Sequence, residues 1–180
     1  MKFIYYIVFF FWYLTSLLPL RLLYFFSDLL YYPLYYCFRY RHKVIRKNLI
    51  GSFPEKSMEE IIRIEKQYYH FFCDYIFETI KLLSISKKNL KSRMTFEGVD
   101  EILKQMEEQK KNFCFVYLGH YCNWEWIASL PYWVPENVLC GQIYHPLRNK
   151  AFDKLFLRLR NQFGGECIAM KETLRRIIEL

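Results

Sequence analysis

Phe113-Cys114-Phe115-Val116-Tyr117-Leu118-Gly119-His120-Tyr121-Cys122-Asn123-Trp124-Glu125-Trp126 is the stretch on which the fold turns. Its first six residues form an unbroken apolar run, the composition expected of a strand buried on both faces. Gly119 ends the run, and a helix is expected over residues 123–130. The alternation continues downstream, with strands predicted over 138–144 and 167–170, a helix over 149–163, and another from 172 onward. A β-α-β-α-β succession of this kind finds its solution in a mostly parallel sheet with right-handed crossovers, an α/β fold.

The chain changes character towards its amino terminus. Residues 3–20 are an uncharged apolar run of about the length that spans a hydrocarbon core. Its Tyr and Trp content, Pro19, Arg21 and Asp28 fit a helix lying in the membrane interface equally well. The apolar run resumes over 22–38, so a helical hairpin or a long tilted anchor is also open, and Arg39, Arg41, Lys43, Arg46 and Lys47 then supply a basic flank. Residues 1–42 are taken as membrane anchor and flank, and 43–180 as the working domain. After the breaker Gly51-Ser52-Phe53-Pro54, Ser57 and Glu60 make a capping box. The helix they start is expected to run to about Leu83, with Ile61, Ile64, Tyr68, Phe72, Tyr75 and Ile76 facing the core.

Composition narrows the function. Of 180 residues 53% are hydrophobic and 21% aromatic, and the formal charge is +8. A basic, ring-rich chain suits nucleic acid or an anionic membrane, but the rings crowd ahead of the cations as at a membrane segment and its cytosolic side, which argues against nucleic acid. The six cysteines lie scattered in apolar surroundings without a CxxC pair, as small buried hydrophobes in a reducing compartment.

His120 follows Gly119 just beyond the first expected strand, where ligands of open parallel sheets bind. Glu125 follows five residues later. On a continuous helix the two side chains would diverge by about 140°, but a strand-loop-helix junction lets the carboxylate fold back to the imidazole. Such a pair deprotonates an alcohol: the imidazole takes the hydroxyl proton while the carboxylate orients it and stabilises its positive charge. Taken alone, the same spacing also fits a histidine that merely caps the next helix. His120, Cys122, Cys140 and His145 lack zinc-ligand spacing, and no GxSxG elbow is present, so neither a metal nor any other cofactor is expected.

Three blocks in order behind the aromatic anchor decide between these readings. They are Asn48-Leu49-Ile50-Gly51-Ser52-Phe53-Pro54-Glu55-Lys56-Ser57, Gly119 to Trp126, and His145-Pro146-Leu147-Arg148-Asn149-Lys150. Together they resemble the lipid A secondary acyltransferases of lauroyl and myristoyl transferase type, within the glycerolipid acyltransferase superfamily, whose signature is His, four residues, then Asp or Glu. The resemblance implies His120 as catalytic base, Glu125 as its partner, an acyl carrier protein thioester or acyl-CoA as donor, a lipid A precursor as acceptor, and an inner-membrane site facing the cytosol. It also implies that the chain is the amino-terminal part of a longer sheet domain, since the family's chains continue further. Arg148, Asn123 and His145 are expected to bind substrate, Arg148 through a phosphate. Where the family commonly has Tyr-Arg-Pro, this sequence has Tyr144-His145-Pro146, so a cationic role at that position is not carried over. Other membrane glycolipid or aminolipid acceptors, and a non-catalytic docking fragment, stay open at this level.

Overall fold

The computed structural model describes residues 2–179, with side chains from Tyr5 onward. It is a mostly helical α/β structure with a two-stranded parallel sheet, and the chain divides into two compact units, Tyr13–Lys81 and Met1–Trp12 with Leu82–Leu180. Helix α1 (Lys2–Leu17) contributes to both. This division follows packing, whereas the anchor boundary expected at residue 42 concerns the membrane.

In the helical unit, α2 (Leu20–Tyr32) starts after Pro19 and runs into a π turn, Pro33–Cys37. Pro33 has no N–H to donate, so the ladder widens, and Phe38 N donates to Pro33 O at 2.8 Å. Arg39 and Arg41 adopt left-handed conformations (φ 48° and 54°) on either side of Tyr40, turning the chain into α3 (His42–Ser52). Gly51, expected as a breaker, lies in the last turn of α3. The break comes at Phe53-Pro54. The capping box forms as predicted: Ser57 N donates to Glu60 Oε2 at 3.0 Å, and Glu60 N donates to Ser57 Oγ at 3.3 Å. It starts α4 (Met58–Lys81).

The buried edge of α4 runs Ile61, Glu65, Tyr69, Cys73 at four-residue spacing, with Tyr31 and Tyr35 packed against its aromatic part. Tyr68, expected in the core, is exposed. A glutamate occupies the core instead because it is fully neutralised there. Tyr35 and His42 contact Glu65 Oε1, while Arg46 donates through Nε to Oε2 at 2.8 Å and through Nη2 to Oε1 at 2.9 Å. Burial opposes ionisation of Glu65, but the Arg46 and His42 hydrogen bonds outweigh it and hold the carboxyl below the ordinary carboxylate value. His70 stacks on Tyr31, a structural placement.

The other unit holds α5 (Lys87–Lys91), α6 (Val99–Glu108), a 3-10 helix (Trp124–Tyr132), β1 (Gly141–Tyr144), α7 (Lys150–Asn161), β2 (Glu166–Ala169) and α8 (Thr173–Glu179). β1 and β2 pair in parallel, Gly141 opposite Glu166 and Ile143 opposite Ile168, with α7 as the crossover. Asn149 caps α7 by accepting from Ala151 N at 3.0 Å, and Gly164 (φ 94°) turns the chain beyond its end. Leu155 and Leu159 are fully buried in the core with Leu82, Leu90, Trp126 and Phe163. Tyr5 joins that core. The first turns of α1 lie on α7: Trp12 meets Phe152 and Phe156 at 6.1 and 6.0 Å, Lys154 Nζ sits 4.5 Å above the Tyr5 ring, and Arg158 Cζ 4.2 Å above Phe9.

Two expectations need correction. Residues 113–118 take no regular secondary structure, and their rings face solvent, Tyr117 at 92% exposure. An apolar run becomes a strand only when neighbours pair its N–H and C=O groups, and the sheet has two strands rather than the expected succession. In addition, no single helix among the described residues is long and apolar enough to cross a membrane. The run over 3–20 breaks before Pro19, and Tyr5–Leu17 and Leu20–Cys37 pass the test of length and composition only as a pair bent by 118°.

Candidate active site

Tyr121 N donates to Gly119 O at 2.9 Å, which closes a three-residue turn with His120 at its apex. Cys122 then takes a left-handed conformation (φ 49°) and redirects the chain through Asn123 into the 3-10 helix. The apex position leaves His120 exposed, its ring 4.8 Å from the Trp124 ring at 65°. No protein hydrogen bond engages its nitrogens among the described residues, so both face solvent or a substrate.

Glu125 lies in the first turn of the 3-10 helix and is 4% exposed. Its partner is Arg160 rather than His120. Arg160 Nε donates to Oε2 at 2.8 Å and Nη2 to Oε1 at 2.7 Å, a bidentate fork. His120 and Glu125 are thus brought to one end of the same short helix without a hydrogen bond or ion pair between them.

The residues expected to bind substrate are placed separately. Asn123 is half-buried at the entry to the 3-10 helix. His145 is exposed beyond β1, its Nδ1 3.0 Å from Pro146 O, and Arg148 is exposed just ahead of the α7 cap. No carboxylate lies within ion-pair distance of Arg148 among the described residues, leaving a cation open to an anionic group. Burial pushes the Cys140 and Cys167 thiols up, which makes either a poor nucleophile near neutral pH. Among the described residues no group of three or more His, Cys, Asp or Glu side chains could hold a metal ion.

Arg160 is the site residue that the sequence did not disclose. It appears there as one member of a basic row with Lys150, Lys154 and Arg158. One signal was available: Arg160 lies one turn after Phe156 and beside Leu159, on the inner edge of an amphipathic helix. A cation there needs a buried counter-charge.

The sequence model of the bacterial lipid A biosynthesis acyltransferases matches residues 1–180. The chain belongs to that family. No curated protein and no solved structure matches it. Membership makes the protein an acyltransferase and lipid A the class of acceptor. Acyl transfer to an alcohol or amine commonly uses a general base, and His120 is an exposed imidazole five residues ahead of the buried Glu125.

Proposed function

We propose that the acyltransferase is an O-acyltransferase, moving a fatty acyl chain from an acyl carrier protein thioester to a hydroxyl of a lipid A precursor, with His120 as general base. The supporting observation is His120 at the apex of its turn, ring exposed and nitrogens unengaged by protein, just ahead of the short helix whose first turn carries the buried Glu125. The neutral imidazole takes the acceptor hydroxyl proton as the oxygen attacks the thioester carbon. The C–S bond then breaks, and the imidazolium returns the proton to the departing thiolate. Acceptor O–H and donor C–S become ester C–O and S–H, with no other reactant.

Glu125 orients the imidazole and stabilises its charge. Arg160 occupies one lone pair on each carboxylate oxygen, so each can still accept from the histidine, and catalytic hydrogen bonds commonly tighten only once substrate is bound. Arg148 meets a phosphate of acceptor or donor, and Asn123 and His145 contribute polar contacts to the substrate. The exposed faces of α1 (Phe10, Phe11, Leu14, Leu17) and α2 (Leu22, Phe25, Phe26, Leu29), with the basic flank after them, support anchoring on the cytosolic side of the inner membrane.

The test is His120→Ala in single-turnover transfer from acyl carrier protein thioester to lipid acceptor, with circular dichroism as a check on folding. Loss of rate by roughly a hundred- to ten-thousandfold is expected, the usual worth of a positioned base. A folded variant that transfers at the wild-type rate shows the histidine to be structural.

A further inference from the structure

We infer that Lys87, Lys88, Lys91 and Arg93 form the surface on which the acyl donor docks, meeting the acidic face of its carrier protein; the inference rests on the carrier-thioester reading above. Ser86 starts α5 by accepting from Asn89 N at 3.3 Å, and the fully buried Leu90 fixes which side of α5 faces the core. Lys87, Lys88 and Lys91 are left exposed, with Arg93 exposed on the turn that follows. Among the described residues none of the four has a carboxylate within ion-pair distance. Two of the lysines are laid on rings: Lys87 Nζ lies 4.7 Å from the centre of the Tyr132 ring, and Lys91 Nζ, one turn on, 5.1 Å from that of Trp133. Those rings are packed in turn, Tyr132 against the buried Phe163 at 5.7 Å and Trp133 against Phe96 at 5.0 Å. A lysine held in this way has less rotamer freedom left to lose when it meets an anion.

Position ties the row to the chemistry. Tyr132 closes the 3-10 helix whose first turn carries Glu125, with His120 just ahead of it. Nine residues at a rise of about 2.0 Å keep the two ends within roughly 16 Å of each other. A thioester at the tip of a phosphopantetheine arm needs its carrier docked about an arm's length from the base, and the row stands at that range. Two features favour a soluble acidic protein over a bilayer. Four cations within residues 87–93 offer it charge complementarity. Residues 82–101 expose no large hydrophobic side chain among those described, whereas a segment that settles on lipid adds apolar burial to its charge.

The experiment follows transfer of one acyl chain by the full-length enzyme from carrier protein and from free pantetheine, which bears the thioester without the protein's charge. Binding of the carrier protein is read by fluorescence anisotropy, and folding by thermal melting. Lys87→Glu/Lys91→Glu should lower both kcat/KM with the carrier thioester and affinity for the carrier by at least about tenfold, because like charges then face each other. Its kcat at saturating carrier thioester and its kcat/KM with acyl-pantetheine should match the wild type. Lys87→Arg/Lys91→Arg, which keeps the charge, should behave as the wild type, and so should Lys110→Glu/Lys111→Glu, which makes the same change of net charge at exposed positions after α6. Raising the salt should weaken the wild type towards the reversed variant.

Wild-type kinetics and binding in Lys87→Glu/Lys91→Glu overturn the inference. So does an equal loss in Lys110→Glu/Lys111→Glu, which would make net charge the cause, or an equal loss with acyl-pantetheine, which would make the lysines part of the reaction site. Weaker binding to phosphatidylglycerol vesicles with carrier kinetics unchanged would assign the row to the bilayer instead. In each of these cases a wild-type enzyme that transfers from the carrier thioester keeps the donor reading intact. If the wild type takes no acyl chain from the carrier thioester, that reading fails, and the inference with it.

Discussion

Replacing Arg46 with alanine removes two hydrogen bonds from a carboxylate that has no access to water. Glu65 has 0% side-chain exposure, and Arg46 holds both of its oxygens, at 2.8 and 2.9 Å. Hydrogen bonds to charged groups contribute roughly 1.5–3 kcal/mol each, so the fork corresponds to about 3–6 kcal/mol if fully shielded. It is not fully shielded, since Arg46 is 33% exposed. Water entering the vacated space, together with the remaining Tyr35 and His42 contacts, reduces the loss to about 2–4 kcal/mol, near the lower part of the range for breaking a buried ion pair. Against a typical total of about 5–15 kcal/mol, that is a large fraction. Equilibrium urea unfolding in a mild detergent, followed by far-ultraviolet circular dichroism, measures it. Arg46→Lys, which keeps the charge without the fork, should fall between wild type and alanine. A loss below about 1 kcal/mol for Arg46→Ala, the worth of an ordinary surface ion pair, would show that the network does not hold α3 to α4.

The same network should set the acid limit of the helical unit. Because the carboxyl of Glu65 titrates below its ordinary value of 4.5 in the folded chain, the stability it contributes is complete above that value and is lost as pH falls through the lower folded value. Stability measured from about pH 6 down to about pH 3 should therefore decline more steeply for wild type than for Arg46→Ala; parallel declines would refute the coupling. Separately, the membrane anchoring proposed above predicts that the enzyme resists extraction by high salt, since salt would screen only the basic flank and not apolar burial. Release by salt alone would show an electrostatic attachment.

Local signals carried much of this structure. The Ser57–Glu60 box, the Asn149 cap and the Gly164 turn act over three or four residues and are visible in the sequence at that range. The parallel pairing of β1 with β2 followed from strands separated by one helix. What was hidden depended on partners distant in the chain. The buried edge of α4 lies one residue away from the apolar row because Arg46, His42 and Tyr35 make a core residue of Glu65. The run over 113–118 has the composition of a strand, but composition cannot provide the neighbour whose backbone must pair with it. At the candidate site, spacing marked His120 and Glu125 as residues of interest. It could not show that the carboxylate binds an arginine 35 positions onward, because charge pairing across a fold leaves no periodicity.

The placement of α1 limits how this enzyme can be shortened. Tyr5 is a core residue, Lys154 and Arg158 lie over the rings of Tyr5 and Phe9, and Phe156 meets both the Trp12 ring and the Arg160 guanidinium. Cutting away the apolar amino terminus to obtain a more tractable fragment would strip a layer from the unit that carries His120 and Glu125, uncover Phe152 and Phe156, and leave two cations without the aromatic faces they rest on. It would also loosen the ring that steadies Arg160. A fragment made in that way would report the loss of its own support, and its inactivity would say nothing about whether the enzyme needs a membrane.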